Sequence, residues 1–311
     1  MIRGGAIGDF ILTLPAVKAL RNRFRNSRIE ILGYKHIAAL AENRFYAQAV
    51  QSIEYGPLSS FFTRETKLPA ELANYFSSFD LIVSYLYDPD RIFESNLKRA
   101  AAQKILVGPG KIDNSAHAAR QLARPIEKLG IKIVDLAAKF YPSEQDRQFA
   151  RDFLRGTATP IVVMHPGSGS ETKNWPLENW IDLGNRLIAS EDFTGTVLVV
   201  SGEADQKQTT QLETIWRNRR VQFANNLALP HLGALLENAV FVGHDSGISH
   251  LAAAAGANCV LLFGPTDPAI WAPLNENVRV IQAPGGDLRK LDVNVACDAL
   301  DQALMRIGMI T

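Results

Sequence analysis

Three glycine-punctuated segments hold the polar residues best placed to do chemistry. Gly4-Gly5-Ala6-Ile7-Gly8-Asp9 opens the chain, His165-Pro166-Gly167-Ser168-Gly169-Ser170-Glu171-Thr172-Lys173-Asn174-Trp175-Pro176 lies at its middle, and Gly243-His244-Asp245-Ser246-Gly247-Ile248-Ser249-His250 follows later. The first and third each lie between strand-like residues and a helical pattern, where a βα turn aims backbone N–H groups and a helix dipole at an anion. Asp9 stands at a helix N-terminus, with Ile11, Leu12, Leu14, Val17 and Leu20 as the buried side. A carboxylate there caps the helix. Held at that fixed point, it can also act as a general base toward a hydroxyl.

The middle segment directly follows an apolar run. Its glycines, Gly169 among them, allow close backbone approach, and the hydroxyls of Ser168 and Ser170 can bond phosphate oxygens. Lys173 offers a point charge, or is a solvated surface lysine. Trp175 and Trp180 read as core anchors, and Pro176 suits the first position of a helix. In the third segment the N–H groups of Ser246, Gly247 and Ile248 would meet a diphosphate along the helix axis, stabilising charge on a leaving group. Asp245 is a poor phosphate ligand because like charges repel, so it contacts sugar hydroxyls or locks the turn. His250, one turn into the helix, is a core histidine or a functional one. Glu203, in Ser201-Gly202-Glu203-Ala204-Asp205, ends a strand where acids in nucleotide folds hold ribose hydroxyls, and Asp205 suits a helix cap.

Short β-branched runs alternate with helical periods through most of the chain, predicting α/β layers with parallel sheets. Strands are expected at 28–33, 52–55, 80–84 and 104–107, then at 160–164, 196–201, 221–224, 240–243, 259–263 and 278–282. Helices are expected at 177–189, 205–217, 230–238, 246–255 and 293–307. Pro15 predicts a break or restart after the first helical turn. The natural division is Arg155-Gly156-Thr157-Ala158-Thr159-Pro160, giving Rossmann-like domains over 1–156 and 157–290 and a terminal helix in 291–311, packing back toward the first domain. Two glycine turns predict two nucleotide-type domains facing a central cleft, with a base on one side and a diphosphate on the other. Only Met1-Ile2-Arg3 precede Gly4, so the first strand, central in such sheets, is expected to be a stub or to begin upstream.

Bulk properties exclude several classes. At 311 residues, 47% hydrophobic and 21% charged, the chain can bury two ample cores. A net charge of +1 argues against blanket attraction to polyanions, and no nucleic acid partner is expected. No apolar run reaches about 18 residues, and no secretory signal opens the chain, which points to the cytoplasm. Cys259 and Cys297 alone give neither a disulfide framework nor a metal site. Asp88-Pro89-Asp90 has the spacing of a metal-binding pair but reads first as a turn. The glycines at 4–8 differ from the dinucleotide fingerprint, which argues against a dehydrogenase, and no cofactor is called for. Arg21, Arg23, Arg25 and Arg28 form a basic run that is a solvated face or a lure for lipid headgroups.

Taken in order, the stretches Gly4–Arg21, His165–Trp180, Ser201–Glu203 and Gly243–Pro273 resemble the heptosyltransferase-like glycosyltransferases of family 9, across nearly the whole chain. The resemblance implies the two-domain GT-B fold and an inverting, metal-independent transfer from a nucleotide-diphospho-sugar, typically ADP-heptose, to a lipopolysaccharide-core or related glycolipid acceptor. It further implies Asp9 as catalytic base, and Gly8 beside it in the turn is expected to contact the donor. Lys173 would be the diphosphate-binding lysine, Glu203 the nucleoside contact, and Asp245 with Ser246-Gly247 the donor turn. An acceptor of that kind implies peripheral contact with the cytoplasmic face of a membrane. Acceptor contacts are expected from the loops around 56–66 and 110–125. Competing readings are a nucleotide-sugar-binding protein with little catalysis, and a GT-B epimerase or hydrolase.

Overall fold

The computed structural model describes residues 1–202, 206–217, 220–306 and 308, and of Lys207 only the backbone. The chain forms two compact units, Met1–Leu136 and Ala137 onward. In the first, strands β1 (Ile2–Arg3), β2 (Glu30–Gly33), β3 (Ala49–Ser52), β4 (Ile82–Ser84) and β5 (Ile105–Val107) form one parallel sheet in the order β3-β2-β1-β4-β5. Helices α1 (Ile7–Arg23), α2 (Lys35–Ala38), α3 (Ala70–Ser77), α4 (Ile92–Arg99) and α5 (Ala118–Glu127) connect or follow them. The stub strand β1 is central, pairing Ile2 with Leu32 and with Ser84, and Arg3 with Gly33.

Three expectations for this unit change. The third strand lies at Ala49–Ser52, just before the expected 52–55, because Val50 is the residue that buries. Helix α1 runs through Pro15 without a break. Residues 10–17 are all buried, and that burial offsets the hydrogen bond the proline ring removes. The segment around Leu58-Ser59-Ser60-Phe61-Phe62, which has no clear period, forms a 3₁₀ helix over Gly56–Phe62. It is anchored by Phe61, whose ring lies 4.8 Å from Phe76 and 6.0 Å from Phe93, and by Asn96 Nδ2, which donates to the Phe61 carbonyl at 2.9 Å. The acid pair at 88 and 90 resolves as a turn: the Asp88 carboxylate accepts from the N–H groups of Phe93 and Glu94 at 3.2 and 2.9 Å and caps α4.

The second unit opens with α6 (Glu144–Phe153) and holds a six-stranded parallel sheet of β6 (Ile161–His165), β7 (Thr196–Ser201), β8 (Val221–Asn225), β9 (Val240–His244), β10 (Asn258–Phe263) and β11 (Val278–Gln282). Its order, β11-β10-β9-β6-β7-β8, is that of a dinucleotide-type sheet. The remaining helices are α7 (Leu177–Ala189), α8 (Gln206–Ile215), α9 (Leu229–Leu235), α10 (Gly247–Ala255), α11 (Pro268–Trp271) and α12 (Val293–Arg306).

The units part at 136/137, not at 155–160. Phe140 donates its N–H to the Ala254 carbonyl at 2.8 Å and fills the space a Cβ on Gly233 would need, while α6 buries Ala150 beside Leu235. Apolar contact thus joins 137–156 to the second unit, although these residues precede its first strand. Helix α12 likewise packs into that unit's own core, through Ala296, Ala299, Leu300 and Leu304.

Within α7, Gly184 faces the buried ring of Trp216, and a Cβ there would lie 2.4 Å from Cζ2. Gly184→Ala gains about 1 kcal/mol of helix propensity but overpacks the core by roughly 1–3 kcal/mol. We expect a lower urea midpoint than wild type; a raised midpoint would show that the Trp216 ring yields freely.

Candidate active site

Both sheets reverse strand order at one place, between β1 and β4 in the first and between β6 and β9 in the second. Ligands of such sheets bind outside the carboxyl ends of the strands at that reversal. The Asp9 turn follows β1, and the loop of Lys173 and the turn of Asp245 follow β6 and β9. The strand pairings therefore explain why the chemistry-bearing residues of the sequence cluster as they do.

In the first unit the Asp9 carboxylate is held at both oxygens. The Ala6 N–H donates to Oδ2 at 3.1 Å, and Oδ1 lies 3.2 Å from Nη2 of Arg3. Asp9 thus does cap α1. It is also 31% exposed, whereas Arg3 is 5% exposed, so the cation is buried and the acid faces water. Arg3 is fixed in turn by Nε to the Asp9 carbonyl and Nη1 to the Tyr85 carbonyl, both at 3.4 Å. Burial lowers the pKa of Arg3, and the Asp9 charge opposes that shift. Gly5 has φ of +96°, and a Cβ there would stand 2.8 Å from Asp9 Oδ2. Glycine is required at that position for the backbone angle and for the carboxylate's place. Gly8 occupies the first turn of α1.

In the second unit Lys173 Nζ contacts Asp245 Oδ2 at 2.6 Å, joining the β6 loop to the β9 turn. Asp245 is 9% exposed and Lys173 33%, so the ammonium is the solvent-facing partner. Ser246 caps α10, its hydroxyl accepting from the Ser249 N–H at 3.3 Å. The N–H groups of Gly247 and Ile248 precede the first i→i−4 bond, from His250 N–H to the Ser246 carbonyl at 3.3 Å, and have the positive end of the helix dipole behind them. His250 is buried at 5% exposure.

The hydroxyls of the β6 loop serve the loop itself. Ser168 Oγ lies 2.7 Å from Asn174 Oδ1 and 2.8 Å from the Ser170 carbonyl, and Ser170 Oγ lies 2.9 Å from Thr172 Oγ1. Gly169 is exposed, and a Cβ there would meet nothing within 4 Å. Trp175 and Trp180 are the expected core anchors, packed edge to face at 5.4 Å. Glu203 and Asp205 lie outside the described residues.

Two residues of the site escaped sequence reasoning. Arg3 could have been found, since a charge in a central strand beside a glycine turn must be paired when buried. His244 gives no such signal. It is fully buried, its Nε2 accepts the Trp175 N–H at 2.8 Å, and its Nδ1 lies 3.3 Å from the Gly167 carbonyl. That pattern requires the proton on Nδ1. One imidazole therefore ties both ends of the 167–175 loop to the end of β9.

Residues 110–295 match the family described as glycosyltransferase family 9 (heptosyltransferase). The chain belongs to glycosyltransferase family 9. It is thus a glycosyltransferase. It is 24% identical to lipopolysaccharide heptosyltransferase 3 of Escherichia coli, over 97% of this chain and 92% of that protein. Its GT-B fold is shared with the glycosyl transferase family 9 protein of Veillonella parvula, at a TM-score of 0.78 and 16% identity over 98% and 96% of the two chains. It is also shared with the Escherichia coli heptosyltransferase WaaC with ADP, at a TM-score of 0.74 and 18% identity over 97% and 98%. Among the described residues, no helix is long and apolar enough to cross a membrane.

The His244 clamp predicts a stability effect in this family 9 fold. His244→Ala leaves the buried Trp175 N–H without its acceptor and opens a void, together costing about 3 kcal/mol. Urea unfolding showing a loss below about 1 kcal/mol would mean that the loop holds without the imidazole.

Proposed function

We propose that this glycosyltransferase moves a heptose from ADP-heptose to a lipopolysaccharide-core acceptor, with inversion at the anomeric carbon and without a metal ion. The observation that carries the proposal is the Lys173–Asp245 contact beside the open N-terminus of α10, at the strand reversal of the second sheet. An ammonium and a helix dipole together suit a diphosphate. The matched family, and relatives named as lipopolysaccharide heptosyltransferases, supply the sugar and the acceptor class. The structural neighbour with ADP supplies the base.

In this proposal Asp9 takes the proton from the acceptor hydroxyl as its oxygen bonds to the anomeric carbon. The bond from that carbon to the β-phosphate oxygen breaks, and ADP leaves with the electron pair. Lys173 and the N–H groups of Gly247 and Ile248 stabilise the charge on the departing diphosphate, which is the task a metal performs in other transferases. Asp245 orients the Lys173 ammonium and accepts from sugar hydroxyls. Ser168, Gly169 and Ser170 shape the loop that carries Lys173, and Ser246 fixes the first turn of α10. His250 backs that turn from within the core, Gly8 lets the donor approach the Asp9 turn, and Glu203 contacts the nucleoside. Arg3 keeps the Asp9 carboxylate aimed. A lipid-linked acceptor would bring the enzyme to the cytoplasmic surface of a membrane.

Asp9→Asn should lower turnover of ADP-heptose by about a thousandfold, with ADP affinity by calorimetry within twofold of wild type. Lys173→Gln should weaken ADP binding about tenfold. Turnover should persist in excess EDTA. Asp9→Asn turning over at more than a tenth of the wild-type rate would remove Asp9 from the chemistry, and loss of turnover in EDTA would refute metal independence.

A further inference from the structure

The second sheet's reversal is occupied by the groups assigned to the donor, and the first sheet has a reversal of its own. Its two walls are the Asp9 turn after β1 and Tyr85-Leu86-Tyr87 after β4. The walls touch: the Tyr85 carbonyl accepts from Arg3, which holds Asp9, and the Cδ2 of Leu86 lies 3.4 Å from where a Gly4 Cβ would be. Tyr85 is buried, with its hydroxyl donating to the Leu122 carbonyl at 2.8 Å. Tyr87, two residues on, is 60% exposed.

The loop after β5 then crosses the β4 loop so closely that a Cβ on Gly110 would stand 2.5 Å from the Tyr87 Cα and 2.7 Å from the Leu86 carbonyl oxygen. Only glycine permits that approach, and it delivers the next residue, Lys111, with its ammonium 4.2 Å from the centre of the Tyr87 ring. The paired ring and cation lie in the loops beyond the carboxyl ends of β4 and β5, and β4 is the strand that pairs with β1, after which the Asp9 turn follows.

We propose that Tyr87 and Lys111 form an acceptor subsite that recognises an acidic sugar. The phenol ring stacks against the C–H face of a pyranose, and the ammonium takes a carboxylate or phosphate on that sugar or its neighbour. An exposed aromatic with a polar tip presents a large contact area at low conformational cost. The adjacent cation adds charge selectivity. Aromatic platforms bind sugars of any charge, so the lysine is the element that makes this site discriminate. This assignment rests on the transferase proposal, since it gives the first unit's crevice to the acceptor.

Titration of the full chain with the deacylated inner-core oligosaccharide of lipopolysaccharide, acidic groups intact, tests it by calorimetry. Tyr87→Ala should bind at least fivefold more weakly than wild type and Tyr87→Phe within twofold, because the ring does the stacking. Lys111→Gln should lose at least threefold toward the acidic oligosaccharide and nothing toward a dephosphorylated, carboxyl-reduced form. Failure of wild type to bind the oligosaccharide at millimolar concentration, or equal binding by Tyr87→Ala, would overturn the subsite. Equal binding of the acidic and neutral forms by wild type would overturn its charge selectivity. Turnover of ADP-heptose is followed separately, so that loss of the transferase reading and loss of this subsite are distinct results.

Discussion

A sheet whose strands all run the same way gathers every βα turn on one edge, and a reversal of strand order opens that edge into a crevice. Both units of this chain obey the constraint, and their polar chemistry follows from it. Arg3, Asp9 and Tyr87 lie at or beyond the carboxyl ends of β1 and β4, and Lys173, His244 and Asp245 at or beyond those of β6 and β9. The basic run of Arg21 to Arg28 extends from the last turn of α1 to just before β2, at the opposite edge. There Arg21 donates to the carbonyls of Phe45, Ser27 and Tyr46, and Arg28 pairs with Glu30, so the run holds a connection in place.

Each acid of the two sites comes with its own cation, but the two pairs are built in opposite senses. In the first unit the cation is buried and the carboxylate faces water, which suits the base proposed for an acceptor hydroxyl. In the second the carboxylate is buried and the ammonium faces out, which suits the diphosphate contact proposed for Lys173. Removing one partner of such a half-buried pair strands the other's charge, so each residue also serves the fold.

Sequence pattern located most elements because period and burial agreed. Thr196–Ser201 and Leu177–Ala189 have the bounds their apolar spacing predicts, since each turns its apolar residues into the second core. Agreement failed where tertiary contact overrode local signals. Pro15 stands in a helix too deeply packed to break, and 137–156 joins the unit that follows it through Phe140 and α9. Of the site, the glycine turns and Asp9, Lys173 and Asp245 were legible as residue types at strand ends. Their partners were not: the Lys173–Asp245 contact spans 72 residues and His244–Trp175 spans 69, separations that only the β6–β9 pairing brings together.

The outward-facing ammonium has a consequence for how an anion enters. Because Lys173 is already paired with Asp245, a diphosphate arriving as proposed would not simply add itself to a bare positive charge; it would compete with a resident carboxylate that stays where it is. Binding there would share one ammonium between two anions, and mobile salt ions would have a smaller part in it than in attraction to an unpaired lysine. The carboxylate beside the newcomer would repel it, so such a site would hold the diphosphate less tightly than its ammonium and helix dipole alone suggest, and spent nucleotide would have an easier way out.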